Sequence, residues 1–340
     1  MYGTCRRNIM TKTKKVVLKF GGKCNLTCKH CHCLRTDYKF NPDIIKWIND
    51  RETEDLHMCG GEPFLYFDIM KKIIPQLTTI KRFHTTTNGT VLNDEMVDFC
   101  NKYGIITAVS YDGPDSQRTP CLPNYDAVGR IKVNGVSQVF YHGNTDMDKI
   151  IFETRKLGKV HGMLAGECVT NIPAFVHQTK DSPNDDTTKE DVDSYIRQYA
   201  KHLEIGLMNY NPNGGIFSLM AAHAFIRHFI NHKPYEVGCR CCNPNNITVT
   251  LDGRFLLCPY GDTYVGDIYK GVDWDLVESH IPDKCKKCPL KLLCGPSCVA
   301  NITDNECYIF RVLYRHYKKL LKKYNIDEEA LLNRPEWSEE

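Results

Sequence analysis

The stretch VVLKFGGKCNLTCKHC, residues 16–31, decides the fold predicted for this chain. It starts with an apolar, β-branched run that ends at Gly21-Gly22, a pattern that predicts a buried strand. Three cysteines spaced CxxxCxxC follow the strand directly: Cys24, Cys28 and Cys31. Four cysteines close a four-iron cluster, whereas three leave one iron open to an external ligand. The loop therefore predicts an open iron–sulfur site at the end of the first strand.

Strands and helices alternate along the chain after this loop. Strands are predicted at 55–59, 81–87 and 106–111, and helices at 42–50, 67–77 and 93–104. This alternation favours a parallel sheet covered by helices. In the middle of the chain the patterns predict strands at 137–142, 160–168 and 203–209 and helices at 145–157, 189–203 and 217–232. Which of these segments is the fifth strand of the sheet stays open.

Composition narrows the class of protein. The chain has 340 residues, 44 Lys and Arg against 41 Asp and Glu, and a formal net charge of +3. This balance is ordinary for a folded protein and calls for no nucleic-acid partner. We find no apolar run long enough for a membrane span and no secretory signal at the start. We therefore expect a cytoplasmic protein that binds neither membrane nor nucleic acid.

Cysteine is the outlier, with 18 residues in the chain. Because thiols stay reduced in the cytoplasm, metal ligation explains so many cysteines better than disulfide bonds do. Most of them lie in two groups, one at 24–33 and one at 239–307, on either side of a cysteine-poor middle. A change in composition near residue 235 predicts the start of a second module, and ITVTLDGRFLLC (247–258) predicts a hairpin within it that turns at Asp252-Gly253.

Short motifs follow the predicted strands in order. Gly60-Gly61-Glu62-Pro63 follows the second strand, Thr87-Asn88-Gly89 follows the third, and Ser110 and Asp112-Gly113 follow the fourth. Together with the cysteine loop, they resemble the radical S-adenosylmethionine enzymes. His30 departs from the pattern, because this family commonly has an aromatic residue there.

The resemblance implies an α/β fold, a partial (β/α)6 TIM-like barrel over residues 15–234. In this family Cys24, Cys28 and Cys31 would hold a [4Fe-4S] cluster whose open iron binds S-adenosyl-L-methionine. The resemblance also implies a set of residues around the nucleotide: Gly60, Gly61, Glu62, Pro63, Thr87, Asn88 and Ser110. Glycine suits such a loop because the backbone must approach the ligand closely.

The later cysteines resemble the SPASM extension of peptide-modifying members of this family, here at 235–310. Their spacing from Cys285 to Cys298 is CxxCxxxxxCxxxC. The resemblance implies two auxiliary [4Fe-4S] clusters, which makes three in all. One would use Cys258, Cys298 and two of Cys239, Cys241 and Cys242, with Cys239 and Cys242 ranked ahead. The other would use Cys285, Cys288, Cys294 and Cys307. An N-terminal extension (1–14) and a C-terminal helix with an acidic tail (311–340) complete the domain plan.

The function implied by the resemblance is reductive cleavage of S-adenosylmethionine and radical modification of a ribosomally synthesised peptide, by an intramolecular thioether or C–C cross-link. A sulfatase-type protein maturase and a peptide epimerase or dehydrogenase are the alternatives. Residues near predicted strand ends are candidates for moving a substrate proton: Asp112, Tyr111 and Tyr210. Expected partners are a precursor peptide and a reductant such as flavodoxin or ferredoxin. Since the first strand begins near residue 16, we expect the leader of the peptide to be recognised by a separate protein, by the rim of the barrel, or not at all.

Non-enzymatic alternatives remain on the sequence alone. The first loop matches the ligands of a structural zinc site, and the second group matches a pair of zinc ribbons. An iron–sulfur carrier or a zinc-stabilised adaptor would then be the function. Zinc does not explain the GGEP element one βα unit after the loop. The remaining cysteines are expected to ligate nothing: Cys5, Cys33, Cys59, Cys100, Cys121 and Cys168.

Overall fold

The computed structural model describes most of the chain in separate ranges. These are residues 15–28, 30, 31, 33, 35–113, 123–161, 174, 175, 187–210, 242, 243, 246–290 and 303–332. Three predictions lie outside them: most of the strand at 160–168, the helix at 217–232 and the module boundary near 235.

A parallel sheet forms the first half of the fold. Its strands lie side by side in chain order: β1 (Lys15–Lys19), β2 (Asp55–Cys59), β3 (Arg82–Thr87), β4 (Ile106–Ser110) and β5 (Val133–Ser137). The first four confirm the predicted strands. The fifth begins before the segment predicted at 137–142, which also contains β6 (Val139–Phe140). That short strand pairs in parallel with β7 (Ala174–Phe175) in a second sheet.

Helices follow the strands as the alternation predicted. They are α1 (Asp43–Asp50), α2 (Phe67–Ile73), α3 (Asp94–Lys102), α4 (Tyr125–Gly129), α5 (Met147–His161) and α6 (Lys189–Met208). The Asn93 side chain accepts a hydrogen bond from the backbone N–H of Met96 and so caps α3. Because Pro75 has no N–H to continue the α-helix, α2 gives way to a 3₁₀ turn over Ile74–Gln76.

The strand predicted at 203–209 is wrong, because this segment is the last part of α6. The helix begins with a capping box, in which Thr188 and Asp191 bond each other's backbone N–H. Its buried side chains recur every four residues and continue past the predicted end: Tyr195, Tyr199, Leu203 and Leu207. The apolar run was therefore one face of a helix and not a strand.

The C-terminal module extends the same sheet. Its strands are β8 (Cys242–Asn243), β9 (Asn246–Thr250), β10 (Arg254–Leu256), β11 (Tyr264–Asp267) and β12 (Gly271–Val272). Strands β9 and β10 form the predicted hairpin, with Gly253 at a positive φ of 88° in its turn. Strand β9 also lies parallel to β1, so the two cysteine regions meet at one edge of the barrel strands.

Four further helices complete the described part: α7 (Trp274–Ser279), α8 (Asp283–Lys286), α9 (Asp304–Lys323) and α10 (Glu328–Leu332). Helix α9 corresponds to the basic helix predicted near the C-terminus. It packs against α6, and the two helices share a core that includes Tyr199 and Tyr317. A larger core lies between the sheet and α1–α3. Among the helices of the described ranges, none has the length and apolar character that crossing a bilayer requires.

A half-buried histidine makes the stability of this sheet depend on pH. His57 lies in β2 beside His84 of β3, and burial, then the charges of Lys15 and His84, lower its pKa from 6.5 to about 4. The folded state therefore resists protonation of His57. The stability that the neutral His57 side chain contributes is complete above pH 6.5 and is lost as the pH falls towards 4.

We expect His57→Gln to remove this dependence. At pH 5 the loss in the natural chain amounts to about 2 kcal/mol. The midpoint of thermal unfolding should fall less between pH 7.5 and pH 5 in the variant than in the natural chain. An equal fall in both proteins would contradict the assignment.

Candidate active site

The GGEP element lies directly against the segment that leads into the cysteine loop. The backbone N–H of Gly61 donates to the Gly21 carbonyl at 2.9 Å, and that of Glu62 to the Lys23 carbonyl at 2.7 Å. A Cβ atom on Gly61 would stand 2.2 Å from the Lys23 oxygen, and one on Gly60 would stand 2.7 Å from the Gly21 oxygen. Both glycines are therefore required by the close approach of two backbones.

Glu62 is fully buried and connects the loops after β2 and β3. Its Oε1 accepts hydrogen bonds from the Phe64 N–H at 3.1 Å and the Thr87 hydroxyl at 2.7 Å, and its Oε2 accepts one from the Asn88 N–H at 2.7 Å. Burial raises the pKa of this carboxyl, and the three hydrogen bonds oppose the rise. Sequence reasoning missed this role in joining the loops. Pro63 starts the 3₁₀ turn that follows.

Asn88 brings the loop after β3 to the cysteines. Its Nδ2 donates to the Asn25 side chain at 3.0 Å and lies 3.8 Å from the Cys24 sulfur. Asn25 in turn donates to the Thr90 hydroxyl at 2.7 Å. Ser110, at the end of β4, is half-buried and lies opposite Ser137 of β5. The predicted cofactor residues therefore lie at the carboxyl ends of β2, β3 and β4, where barrel folds place their active sites.

The three loop cysteines are partly exposed and close together in the backbone. The Cys31 N–H donates to the Cys28 carbonyl at 3.1 Å, so the second half of the loop is a tight turn. Three thiols from one loop are the donor set that iron–sulfur clusters use, and the GGEP element packs against the backbone that leads into this loop. No trio of His, Cys, Asp or Glu side chains within the described ranges is arranged to hold a single metal ion.

Arg35 holds this loop in place and was missed by the sequence analysis. Its guanidinium donates to the backbone carbonyls of Gly22 at 3.4 Å, Cys24 at 3.3 Å and Leu26 at 2.8 Å. These bonds satisfy carbonyl groups on both sides of the first cysteine. No motif announces an arginine at this position, because its role depends on the path of the loop.

Asp112 and Tyr111 lie beside the cysteine loop at the end of β4. The Asp112 carboxylate is buried, accepts a hydrogen bond from the Val139 N–H at 2.9 Å and lies 3.8 Å from Nε2 of His30. The His30 ring packs on Tyr141 with centroids 4.6 Å apart. The residue that departs from the family pattern therefore faces a predicted catalytic residue.

Tyr210 does not lie at a strand end, and that premise of its prediction is wrong. It follows α6, where its N–H donates to the Leu207 carbonyl at 3.1 Å. Its side chain packs against the core shared by α6 and α9. The cause is the same as for the strand predicted at 203–209: the segment before Tyr210 is helical.

The second cysteine group is described in part. Cys258 is buried near the end of β10. Burial, then the charge of Cys307, raises the pKa of Cys285, and Cys288 adds to the rise, so Cys307 and Cys288 both lie within electrostatic range of Cys285. A salt bridge of 2.6 Å from Lys284 to Asp304 joins the segments that carry them. The Cys242 backbone lies in β8, and the other predicted ligands are outside the described residues: Cys239, Cys241, Cys294 and Cys298.

Comparison with curated proteins finds distant relatives. No family model matches the chain. A probable GTP 3′,8-cyclase from Sulfurisphaera tokodaii is 23% identical over 282 residues, which cover 75% of this chain and 84% of that protein. An uncharacterized protein from Methanocaldococcus jannaschii is 24% identical over 111 residues, covering 29% of this chain and 39% of that protein. The chain thus spans well under two thirds of the second relative.

Solved structures share the fold at low sequence identity. The anaerobic sulfatase-maturating enzyme anSMEcpe, solved with bound AdoMet and Cp18Cys peptide, aligns with a TM-score of 0.60 and 15% identity. The alignment covers 92% of this chain and 99% of that one. SuiB from Streptococcus suis, solved with its precursor peptide SuiA, aligns with a TM-score of 0.55 and 18% identity over 86% of this chain and 73% of that one. The chain therefore shares the α/β fold of these two solved proteins, and this is the fold class that the resemblance of its cysteine loop and GGEP element implies.

Proposed function

We propose that this chain is a radical S-adenosylmethionine enzyme that modifies a peptide. The observation that carries the proposal is the contact between GGEP and the cysteine loop, in which the N–H groups of Gly61 and Glu62 donate to the segment between β1 and Cys24. Solved proteins of the same fold provide further support, because their structures contain AdoMet, a substrate-like peptide or a precursor peptide.

In this proposal Cys24, Cys28 and Cys31 would hold the first cluster. When bound, the cluster supplies one electron that splits S-adenosylmethionine into methionine and a 5′-deoxyadenosyl radical, which abstracts a hydrogen atom from the substrate. The chain's own residues position these groups. Gly60 and Gly61 let the GGEP element lie against the backbone of Gly21–Lys23, and Arg35 fixes the carbonyls around Cys24.

The walls of the site would protect the radical from water and from side reactions. Tyr111 and Asp112 are buried at the end of β4, next to the cysteine loop. Asp112 is our candidate for holding or moving a substrate proton, with His30 as its neighbour at 3.8 Å. Thr87, Asn88 and Ser110 would line the nucleotide, because they share the same edge of the sheet as the loop.

The C-terminal module would hold two auxiliary clusters. The nearness of Cys285, Cys288 and Cys307 supports one ligand set, which Cys294 would complete. Cys258 would serve the other set with Cys298 and two of Cys239, Cys241 and Cys242. A flavodoxin or ferredoxin would supply electrons, and a separate protein would recognise the leader of the precursor peptide.

The modification we propose is an intramolecular cross-link, as a thioether or a C–C bond. A sulfatase-type maturase is the second candidate, favoured by the 99% coverage of the sulfatase-maturating enzyme. Peptide epimerisation or dehydrogenation is a third outcome of the same radical chemistry. These reactions differ in the mass of the product, so one experiment separates them.

The test has two parts. The first is anaerobic reconstitution of the purified chain with iron and sulfide, and the second is co-expression of the chain with short peptides encoded beside the gene. We expect about twelve irons per chain, as three four-iron clusters require, and release of 5′-deoxyadenosine under reducing conditions. Mass spectrometry in light and heavy water then identifies the product: loss of two hydrogens indicates a cross-link or an oxidation, and deuterium uptake alone indicates epimerisation. A chain that binds only zinc and ignores S-adenosylmethionine would refute the proposal and favour an adaptor.

A further inference from the structure

A fully buried lysine lies at the end of β1, where the two cysteine regions meet. Lys19 has no exposed surface, and its neighbours across the sheet are Cys59 of β2 and Thr250 of β9. Its Nζ donates to the Gly261 carbonyl at 3.0 Å and lies 3.2 Å from Oδ1 of Asp262. Burying an ammonium group costs several kcal/mol even when it is paired, and an apolar side chain of similar size would avoid this cost.

The partner carboxylate belongs to the turn that follows Cys258. Asp262 also accepts hydrogen bonds from the Thr36 hydroxyl and the Tyr38 hydroxyl, each at 2.7 Å. Burial by itself raises the pKa of Asp262. The hydrogen bonds from Thr36 and Tyr38 and the charge of Lys19 lower this pKa by more than burial raises it, so the carboxylate stays ionised. The Gly261 N–H donates to the Cys258 carbonyl at 3.2 Å, which ties this turn to the cysteine.

Two cysteines of the first half of the chain lie near the end of β1. The Cys33 thiol donates to the Gly60 carbonyl at 3.5 Å, directly after Cys59 in the chain. Burial raises the pKa of Cys59 to about 12, and the charge of Lys19 opposes this rise. Cys258 also acts on the pKa of Cys59. Lys19 therefore lies beside Cys59 in the sheet and is hydrogen-bonded to the turn that follows Cys258.

We propose that Lys19 is a buried cation that stabilises the reduced state of the cluster held through Cys258, and that Asp262 moderates its charge. The inference rests on the proposed function. Reduction adds one negative charge to a cluster, and a nearby positive charge favours that state more strongly inside a protein than in water. The pair Lys19 and Asp262 thereby sets how readily this auxiliary cluster accepts an electron.

The experiment is a redox titration of the reconstituted full-length chain, followed by electron paramagnetic resonance. The signal that disappears in Cys258→Ala identifies the cluster concerned. In Lys19→Met, at the potential that half-reduces the natural cluster, we expect the ratio of reduced to oxidised cluster to fall about tenfold, a midpoint lower by about 59 mV for one electron. In Asp262→Asn we expect the opposite shift, because the charge of Lys19 is no longer compensated.

Lys15→Met is the matched control, because Lys15 lies on the same face of the same strand, roughly 13 Å away at about 3.3 Å per residue. It should leave the midpoint unchanged. An unchanged midpoint in Lys19→Met at full iron content would overturn the inference and leave the proposed function standing. Shifts of the same sign in Lys19→Met and Asp262→Asn would also overturn it, since they would indicate a structural effect.

Two further results are decisive. If Lys19→Met takes up no iron, Asp262→Asn decides alone, and a midpoint that does not rise would overturn the inference. If the natural chain itself forms no reducible cluster, the inference and the proposed function fail together.

Discussion

Replacing Cys28 by alanine is expected to reduce the release of 5′-deoxyadenosine by more than about 1,000-fold. In the proposed function, only the first cluster lowers the barrier to cleavage of S-adenosylmethionine. Cys28 is the middle cysteine of the CxxxCxxC loop, and its carbonyl accepts the hydrogen bond that closes the turn to Cys31. Two thiols from this loop cannot anchor a cluster that leaves one iron open. We therefore also expect the iron content to fall by about four atoms per chain.

The matched control for this variant is Cys100→Ala. Cys100 is buried in α3 within the larger core, among apolar side chains and away from the strand ends that carry the site. The change should lower the stability of the chain slightly and leave both iron content and nucleoside release intact. Liquid chromatography of the released nucleoside measures both variants. Undiminished release in Cys28→Ala would contradict the assignment of the loop.

The second large effect is expected for Gly61→Ala. The added methyl group would stand 2.2 Å from the Lys23 carbonyl oxygen and 2.6 Å from that of Gly22. Neither backbone can retreat easily, because the Gly61 and Glu62 N–H groups are bonded to this segment. We expect a loss of about 3 kcal/mol in the free energy of unfolding, from overpacking and from broken hydrogen bonds. S-adenosylmethionine binding should be lost with it.

Gly135→Ala is the control for the glycine variant. Gly135 lies in β5, and a Cβ atom there meets no heavy atom within 4 Å. Denaturant unfolding gives the stability of each variant, and equilibrium dialysis with labelled S-adenosylmethionine gives its binding. If Gly61→Ala were as stable as Gly135→Ala and bound the nucleotide equally well, the close approach of the two loops would have no functional role.

The features that could be predicted from the sequence are those encoded by residues close together in the chain. The cysteine loop, the GGEP element and β1–β4 are encoded in short windows, in which spacing and apolar patterns suffice. Strand β5 was left open because its sequence, VNGVS, carries Asn and Gly in place of an alternating pattern. The segment 203–209 was assigned to the wrong structure because its apolar run is part of a longer helical face, and Tyr210 was misplaced with it.

The long-range contacts of the site could not be predicted. Lys19 and Asp262 are 243 residues apart in sequence, and they meet because β9 adds to the sheet beside β1. No pattern within either segment indicates that pairing. Arg35 likewise binds three carbonyls whose directions depend on the folded path of the loop. Glu62 was identified from its motif, but its bonds to Thr87 and Asn88 required the parallel pairing of β2 and β3.

The proposed function requires that the cluster of the first cysteine loop has one iron open to S-adenosylmethionine. The most direct measurement is electron paramagnetic resonance of the reduced, oxygen-free protein, with and without the nucleotide labelled with ¹⁷O in its carboxylate or ¹⁵N in its amine. We expect the signal lost in Cys28→Ala to change when the nucleotide is added and the labels to couple to it. A spectrum that is unchanged by the nucleotide, with no coupling to either label, would refute the open iron.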